Sequence, residues 1–128
     1  MKSSQILSLL LTATILGCAG GGSSTSAPPT PAVHWAQASY TMGGTSTWNQ
    51  MGTVNVTNAP PALAINLVDV DAAIPGGPTH TNNSVFSGSN GIVSVPFYRG
   101  TATGTWRFRA DLVVGSSTYS DTVSIVVQ

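Results

Sequence analysis

In residues 104–112, Gly-Thr-Trp-Arg-Phe-Arg-Ala-Asp-Leu, apolar and polar side chains alternate without a break. Trp106, Phe108, Ala110 and Leu112 fall on one side, and Thr105, Arg107, Arg109 and Asp111 on the other. Successive strand side chains point to opposite faces, whereas a helix brings together positions three and four apart. A chain with this stretch is therefore committed to a sheet with one dry and one wet side. The C-terminal stretch, Tyr-Ser-Asp-Thr-Val-Ser-Ile-Val-Val-Gln, repeats the pattern, with Val123, Ile125 and Val127 inward and Thr122 and Ser124 outward. Val-Val-Gly-Ser-Ser-Thr between them supplies a turn, so the two strands should form an antiparallel hairpin.

Earlier segments follow the same rule. Val54 and Val56 face inward from Gly-Thr-Val-Asn-Val-Thr-Asn. In Gly-Ile-Val-Ser-Val-Pro-Phe-Tyr, Val93, Val95 and Phe97 share a face, and Pro96 implies an edge strand or a bulge. Asn90-Gly91 is a favoured two-residue turn and suggests a hairpin with residues 83–87. Residues 33–42 make one or two short strands. Residues 62–71, Ala-Leu-Ala-Ile-Asn-Leu-Val-Asp-Val-Asp, are ambiguous, because Leu63, Leu67, Val70 and Ile74 also fit helical spacing. The β-branched Ile65, Val68 and Val70, with prolines and glycines on both flanks, favour a strand, bulged where the inward parity changes.

Composition agrees with an all-β chain. Ser, Thr, Val, Gly and Pro are abundant, and 128 residues hold no more than one ordinary domain. Charged residues are 6% of the chain, four basic and four acidic, with no glutamate. Nucleic-acid binding needs clustered Lys and Arg facing phosphates, which this balance excludes. At 41% hydrophobic, the chain is not a disordered acidic tail either.

The N-terminus has a different character. Lys2 and the α-amino group precede an apolar stretch at residues 6–16, Ile-Leu-Ser-Leu-Leu-Leu-Thr-Ala-Thr-Ile-Leu. Its 11 residues are too few to span a bilayer, which takes about 20, and suit an export signal. The run ends in Ile-Leu-Gly-Cys, which holds the only cysteine, Cys18. This stretch resembles the lipobox of bacterial lipoproteins. The resemblance implies that the Cys18 thiol takes a diacylglyceryl group, that the preceding peptide bond is cut, and that Cys18 becomes the first residue. More than one acyl chain is needed for a stable anchor, since one alone is marginal. The alternative is an ordinary secretory signal in which the cysteine is incidental. Ala19, rather than Asp, after the cysteine resembles the pattern sent to the outer membrane where a host has two membranes.

After Cys18, residues 19–32 are Gly, Ser, Thr, Pro and Ala without hydrophobic periodicity, the composition of a tether. As a coil it reaches roughly 20 Å, enough to hold a module clear of lipid headgroups. The expected organisation is a signal helix at 1–17, a lipid-anchored disordered linker at 18–32 and one folded module at 33–128. The module has the size of a single immunoglobulin-like sandwich. Its last two strands, Gly-Thr-aromatic, alternating apolars, a turn and a Val-rich strand, resemble those of many bacterial immunoglobulin-like domains. The resemblance implies an antiparallel β-sandwich of about seven strands that serves adhesion, spacing or recognition, and it transfers no catalytic residues.

Candidate chemistry is sparse. His34 and His80 match no metal-ligand spacing, and His80 falls in Pro-Gly-Gly-Pro-Thr-His-Thr-Asn-Asn, which reads as a solvated loop. Asp69 and Asp71, as D-x-D near a strand end, are candidate calcium donors with Asn82 or Asn83 completing the shell. Ser87-Gly88-Ser89-Asn90-Gly91 lacks the first glycine of a nucleophile elbow. Asp111 and Asp121, on neighbouring strands beside Arg107 and Arg109, suit cross-strand charge pairing better than paired-carboxylate hydrolysis. Of the tryptophans, Trp106 follows the inward parity. Trp48 stands in polar surroundings and either folds over the sandwich edge or stays exposed as a candidate ligand contact, for exposed aromatics stack on sugars or anchor protein partners.

These observations point to a cell-envelope protein with no cofactor and no catalysis of its own, held at a membrane through Cys18 and displaying a binding or structural module. Two other functions fit the same residues. One is a carbohydrate-binding module with exposed aromatics aligned on one face. The other is an accessory subunit of an envelope complex, marked by an unpaired edge strand or an apolar patch.

Overall fold

The computed structural model describes residue 22 and residues 25–43, 49–81, 84–85 and 91–128. Within them the chain forms nine strands and no helix: β1 (Ala32–Trp35), β2 (Ser39–Met42), β3 (Asn49–Thr57), β4 (Ala64–Asp69), β5 (Thr79–His80), β6 (Ser84–Val85), β7 (Gly91–Tyr98), β8 (Gly104–Val114) and β9 (Ser117–Val127). They build two sheets, one in the order β1-β3-β7-β5 and the other in the order β2-β9-β8-β4-β6. The apolar faces meet in one core, so the fold is an all-β sandwich.

Alternation decides the core. Val54 and Val56 of β3, Val93, Val95 and Phe97 of β7, Trp106, Phe108, Ala110 and Leu112 of β8, and Val123, Ile125 and Val127 of β9 are all buried. Phe97 of the first sheet meets Phe108 of the second with ring centroids 5.0 Å apart. Trp35 of β1 packs 5.9 Å from Phe97, and Tyr40 of β2 stands edge-on to Trp35 at 6.5 Å. β8 and β9 form the expected hairpin, in register from Gly104↔Val127 to Val114↔Ser117. Gly115, with φ of 61°, supplies the positive dihedral that its tight turn requires.

The ambiguous segment is a strand. β4 pairs with β8 without interruption from Ile65↔Leu112 to Asp69↔Phe108, so the expected bulge is absent. Ile65 is fully buried, while Val70 and Ile74, which a helix would have turned inward with Leu63 and Leu67, are 41% and 50% exposed. Pro96 also sits in an unbulged strand, opposite Met51 of β3. β5 reaches only Phe97 and Tyr98 of β7, so at Pro96 the far side of β7 is an edge among the described strands.

Two pairings differ from expectation. β2 runs parallel to β9, from Ser39↔Ser124 to Met42↔Val127, so the sandwich is not wholly antiparallel. Residues 36–38 carry the chain from the first sheet to the second, and that crossing delivers β2 to the β9 edge in the same direction. The second difference is β6, which pairs with β4 (Ala64↔Val85, Ile65↔Ser84) and not with β7. A hairpin across Asn90-Gly91 would leave both strands in one sheet. Here the open edge of β4 takes β6 into the other sheet, and residues 86–90 lie outside the described ones.

Close packing leaves no room for a side chain at several glycines, Gly52 and Gly77 among them. A Cβ on Gly52 would lie 2.8 Å from both Phe97 Cε2 and Trp35 Cζ3. A Cβ on Gly77 would overlap the indole of Trp106, whose Nε1 donates to the Ile74 carbonyl at 3.4 Å. Gly43, by contrast, has open space around it. Gly52→Ala should destabilise the fold by about 1–3 kcal/mol, the usual range for an overpacked core. That corresponds to a fall in melting temperature of roughly 4–8 °C per kcal/mol for a domain of this size. Gly43→Ala, measured by the same thermal melt, should stay within about 0.5 kcal/mol of the parent.

Candidate functional site

The arginine–aspartate pairs gather around the second sheet. β8 places Arg107, Arg109 and Asp111 on its outer side by the parity that buries Trp106 and Phe108. Arg107 reaches back to the turn after β4: its Nε donates to Asp71 Oδ2 at 3.0 Å and its Nη2 to Oδ1 at 2.7 Å. The Arg107 backbone N–H adds a third bond to Asp71 Oδ2 at 2.8 Å. Asp69 accepts the Asp71 N–H at 3.1 Å, which fixes the turn that presents Asp71. The D-x-D pair is thus brought together, but both Asp71 oxygens face a guanidinium, and Asp69 closes the turn. A calcium ion there would have to displace Arg107. Asn82 and Asn83, the proposed companions, lie outside the described residues.

Arg109 makes a similar fork one step along the same strand. Its Nε donates to Asp111 Oδ1 at 2.7 Å and its Nη2 to Oδ2 at 2.8 Å. Ser120, opposite on β9, donates its hydroxyl to Asp111 Oδ1 at 2.7 Å. The cross-strand charge pairing expected of Asp111 and Asp121 with the arginines is therefore replaced, at Asp111, by a pair along one strand plus a cross-strand serine. Hydrogen bonds from Arg107 hold the Asp71 carboxyl below the ordinary carboxylate range, and those from Arg109 and Ser120 do the same for Asp111.

Asp121 works elsewhere. Its Oδ2 accepts the Trp35 backbone N–H at 2.8 Å and its Oδ1 accepts the Thr122 N–H at 2.9 Å. The Trp35 indole Nε1 donates to the Asp121 carbonyl at 3.2 Å. The two Trp35 bonds tie the first sheet to the edge of the second, where the chain crosses between them. His34 Nδ1 stands 3.8 Å from Asp121 Oδ2, with the His34 side chain 70% exposed. Nothing local in the sequence joins Trp35 to Asp121, because the contact spans 86 positions.

His80 is not the solvated loop residue its neighbours suggested. It lies on β5, half-buried, with its ring edge-on to Phe108 at 5.2 Å and to Phe97 at 6.2 Å. Pairing with the end of β7 seats it at the rim of the aromatic core. Trp106 is in the core as expected, at 2% exposure. Cys18 and Trp48 fall outside the described residues, as does most of the Ser87–Gly91 turn. Among the described residues, no three His, Cys, Asp or Glu side chains come together as metal ligands, and no helix is long and apolar enough to cross a membrane.

Since Asp71 and Asp111 hold protons more weakly when folded, the unfolded chain binds more protons in the window just below the ordinary carboxylate value of about 4. Stability from these pairs is complete above that window and falls as pH drops through it. Denaturant midpoints measured from neutral pH downwards should hold steady and then decline below about pH 4. Asp71→Asn and Asp111→Asn should each lower the midpoint at neutral pH and flatten the acid decline.

No family model matches the sequence, and no curated protein matches it. Among solved structures, the fold is similar to that of the E. coli chaperone DraB, with a TM-score of 0.53 at 12% sequence identity. The similarity covers 76% of this chain and 55% of that one, so the chain spans about half the chaperone's length. At that identity the likeness establishes a shared β-sandwich arrangement.

Proposed function

We propose that this chain is a bacterial lipoprotein of the cell envelope, anchored through Cys18 and displaying an immunoglobulin-like module that binds or spaces without catalysis. The observation that carries this reading is Ile-Leu-Gly-Cys at the end of an 11-residue apolar stretch, followed at once by a Gly/Ser/Pro tether. Strand pairing begins at Ala32, at the tether's far end, and residues 25–30 are exposed and outside any strand. The immunoglobulin-like assignment is supported by strand order. β1-β3-β7-β5 follows the A-B-E-D order of such domains, and β9-β8-β4 follows G-F-C. β2 and β6 extend the second sheet at its two edges.

A non-catalytic role is supported by how the carboxylates are used. The chain has four, Asp69, Asp71, Asp111 and Asp121, and each one accepts hydrogen bonds that hold a turn, a strand or the sheet crossing. A protein partner is favoured over a polysaccharide by one observation, the likeness of the fold to a chaperone. With Ala19 after the cysteine, the outer membrane is the proposed destination in a host with two membranes.

In cells fed an alkyne-bearing palmitate analogue, the native chain should take up label and sediment with membranes. Cys18→Ser should stay unlabelled and appear in the soluble exported fraction. An unmodified mature N-terminus downstream of Cys18, read by mass spectrometry, would overturn the lipoprotein reading.

A further inference from the structure

We propose that the outer face of the first sheet, formed by β1, β3 and β7, rests against the lipid surface to which the tether is anchored. This inference deepens the lipoprotein reading and rests on it. Three observations select the face and its occupant. The first is where the tether joins the module. Ala32 opens β1 and pairs with Thr57 at the end of β3, and the Asn58 amide donates to the Thr30 carbonyl at 3.2 Å. The tether's last residues are thus pinned beside this face.

The second observation is apolar exposure next to that root. Ile92 of β7 is 73% exposed and lies opposite Asn55 of β3, which in turn lies opposite His34 of β1. From strand spacings, Ile92 is about 12 Å from Ala32. Asn55, Val56, Thr57, Gly91 and Ile92 line a shallow, mostly apolar hollow at the same end. Further along the face, Met51 is 50% exposed directly opposite Pro96, and Tyr98 is 39% exposed.

The third is charge. The four strands of this sheet carry no Asp, Glu, Lys or Arg. All four acidic side chains sit on or just beyond strands of the opposite sheet. Of these, Asp121 reaches the margin of this face, 3.8 Å from His34. Leaflets rich in anionic lipid repel carboxylates, so the module turns its carboxylate-poor face towards the headgroups and its acidic sheet away. A tether of this length keeps the local lipid concentration high enough for a weakly apolar face to stay engaged.

The test couples the chain from Cys18 onwards, through its one thiol, to a maleimide lipid in phosphatidylethanolamine/phosphatidylglycerol vesicles. All nine described strands lie beyond that starting point. Attachment is imposed chemically, so the outcome does not depend on whether a cell acylates Cys18. Hydroxyl-radical footprinting then compares the tethered chain with the same chain free in solution. Modification of Met51 and Ile92 should slow about threefold or more on tethering, as expected for a face held at millimolar effective concentration. Val113, 44% exposed on the opposite sheet, and Ile74, 50% exposed in the turn after β4, should react at unchanged rates. Ile92→Asp should restore Met51 reactivity on the vesicles without altering the melting temperature. Equal modification of Met51 with and without vesicles would overturn the proposal, as would protection of Val113 to the same degree. Protection that appears without lipid and grows with protein concentration would assign the face to a second copy and overturn it as well.

Discussion

Contact between Phe97 and Phe108, rings 5.0 Å apart, joins the two sheets at the centre of the core, and the rest of the arrangement is organised around it. The module contains no cysteine, so no disulfide supplements that contact. Cohesion comes from burying the apolar face of each sheet against the other, an effect proportional to the area removed from water. Trp35 and His80 pack around the same pair of rings from β1 and β5. Gly52 leaves the space that lets Trp35 and Phe97 meet over the β3 backbone. Each of these residues is placed by an inward position on its own strand.

That dependence explains what could be read from the sequence and what could not. Alternation names the face of a residue, because the side-chain period is a local property of extended backbone. Hence the inward sets of β7, β8 and β9, the burial of Trp106 and the strand at residues 64–69 were all legible. Alternation says nothing about which strand lies alongside. The parallel seat of β2 on β9 and the pairing of β6 with β4 are long-range choices made by open edges. His80 was hidden for the same reason, since only its pairing with Phe97 carries it to the aromatic rim. Arg109 and Asp111, two apart on one face, were readable in principle, for period two makes such residues neighbours. Arg107 with Asp71, and Trp35 with Asp121, required the folded register. The chemistry proposed for Cys18 and Trp48 rests on sequence alone.

Electrostatics in this chain is a matter of placement more than amount. With charged residues at 6%, each ion pair has one defined task. Arg107–Asp71 fastens the turn after β4 to β8, and Arg109–Asp111 lies along β8 under the Ser120 hydroxyl. Asp121 satisfies two backbone N–H groups where β1 leaves the first sheet, and so finishes an edge that would otherwise offer unpaired donors. The result is one charged sheet surface and one that is nearly bare of charge.

The parallel seat of β2 against β9 also bears on mechanical load. In the anchored arrangement proposed above, load would enter the module through its tether. Because β2 and β9 point the same way, opposing forces at Ser39 and Val127 slide the two strands lengthwise instead of peeling them apart. Shearing strains the evenly spaced bonds of the pair together, whereas unzipping breaks them singly. The crossing at residues 36–38 therefore gives the module a seam that resists load along the β2–β9 direction.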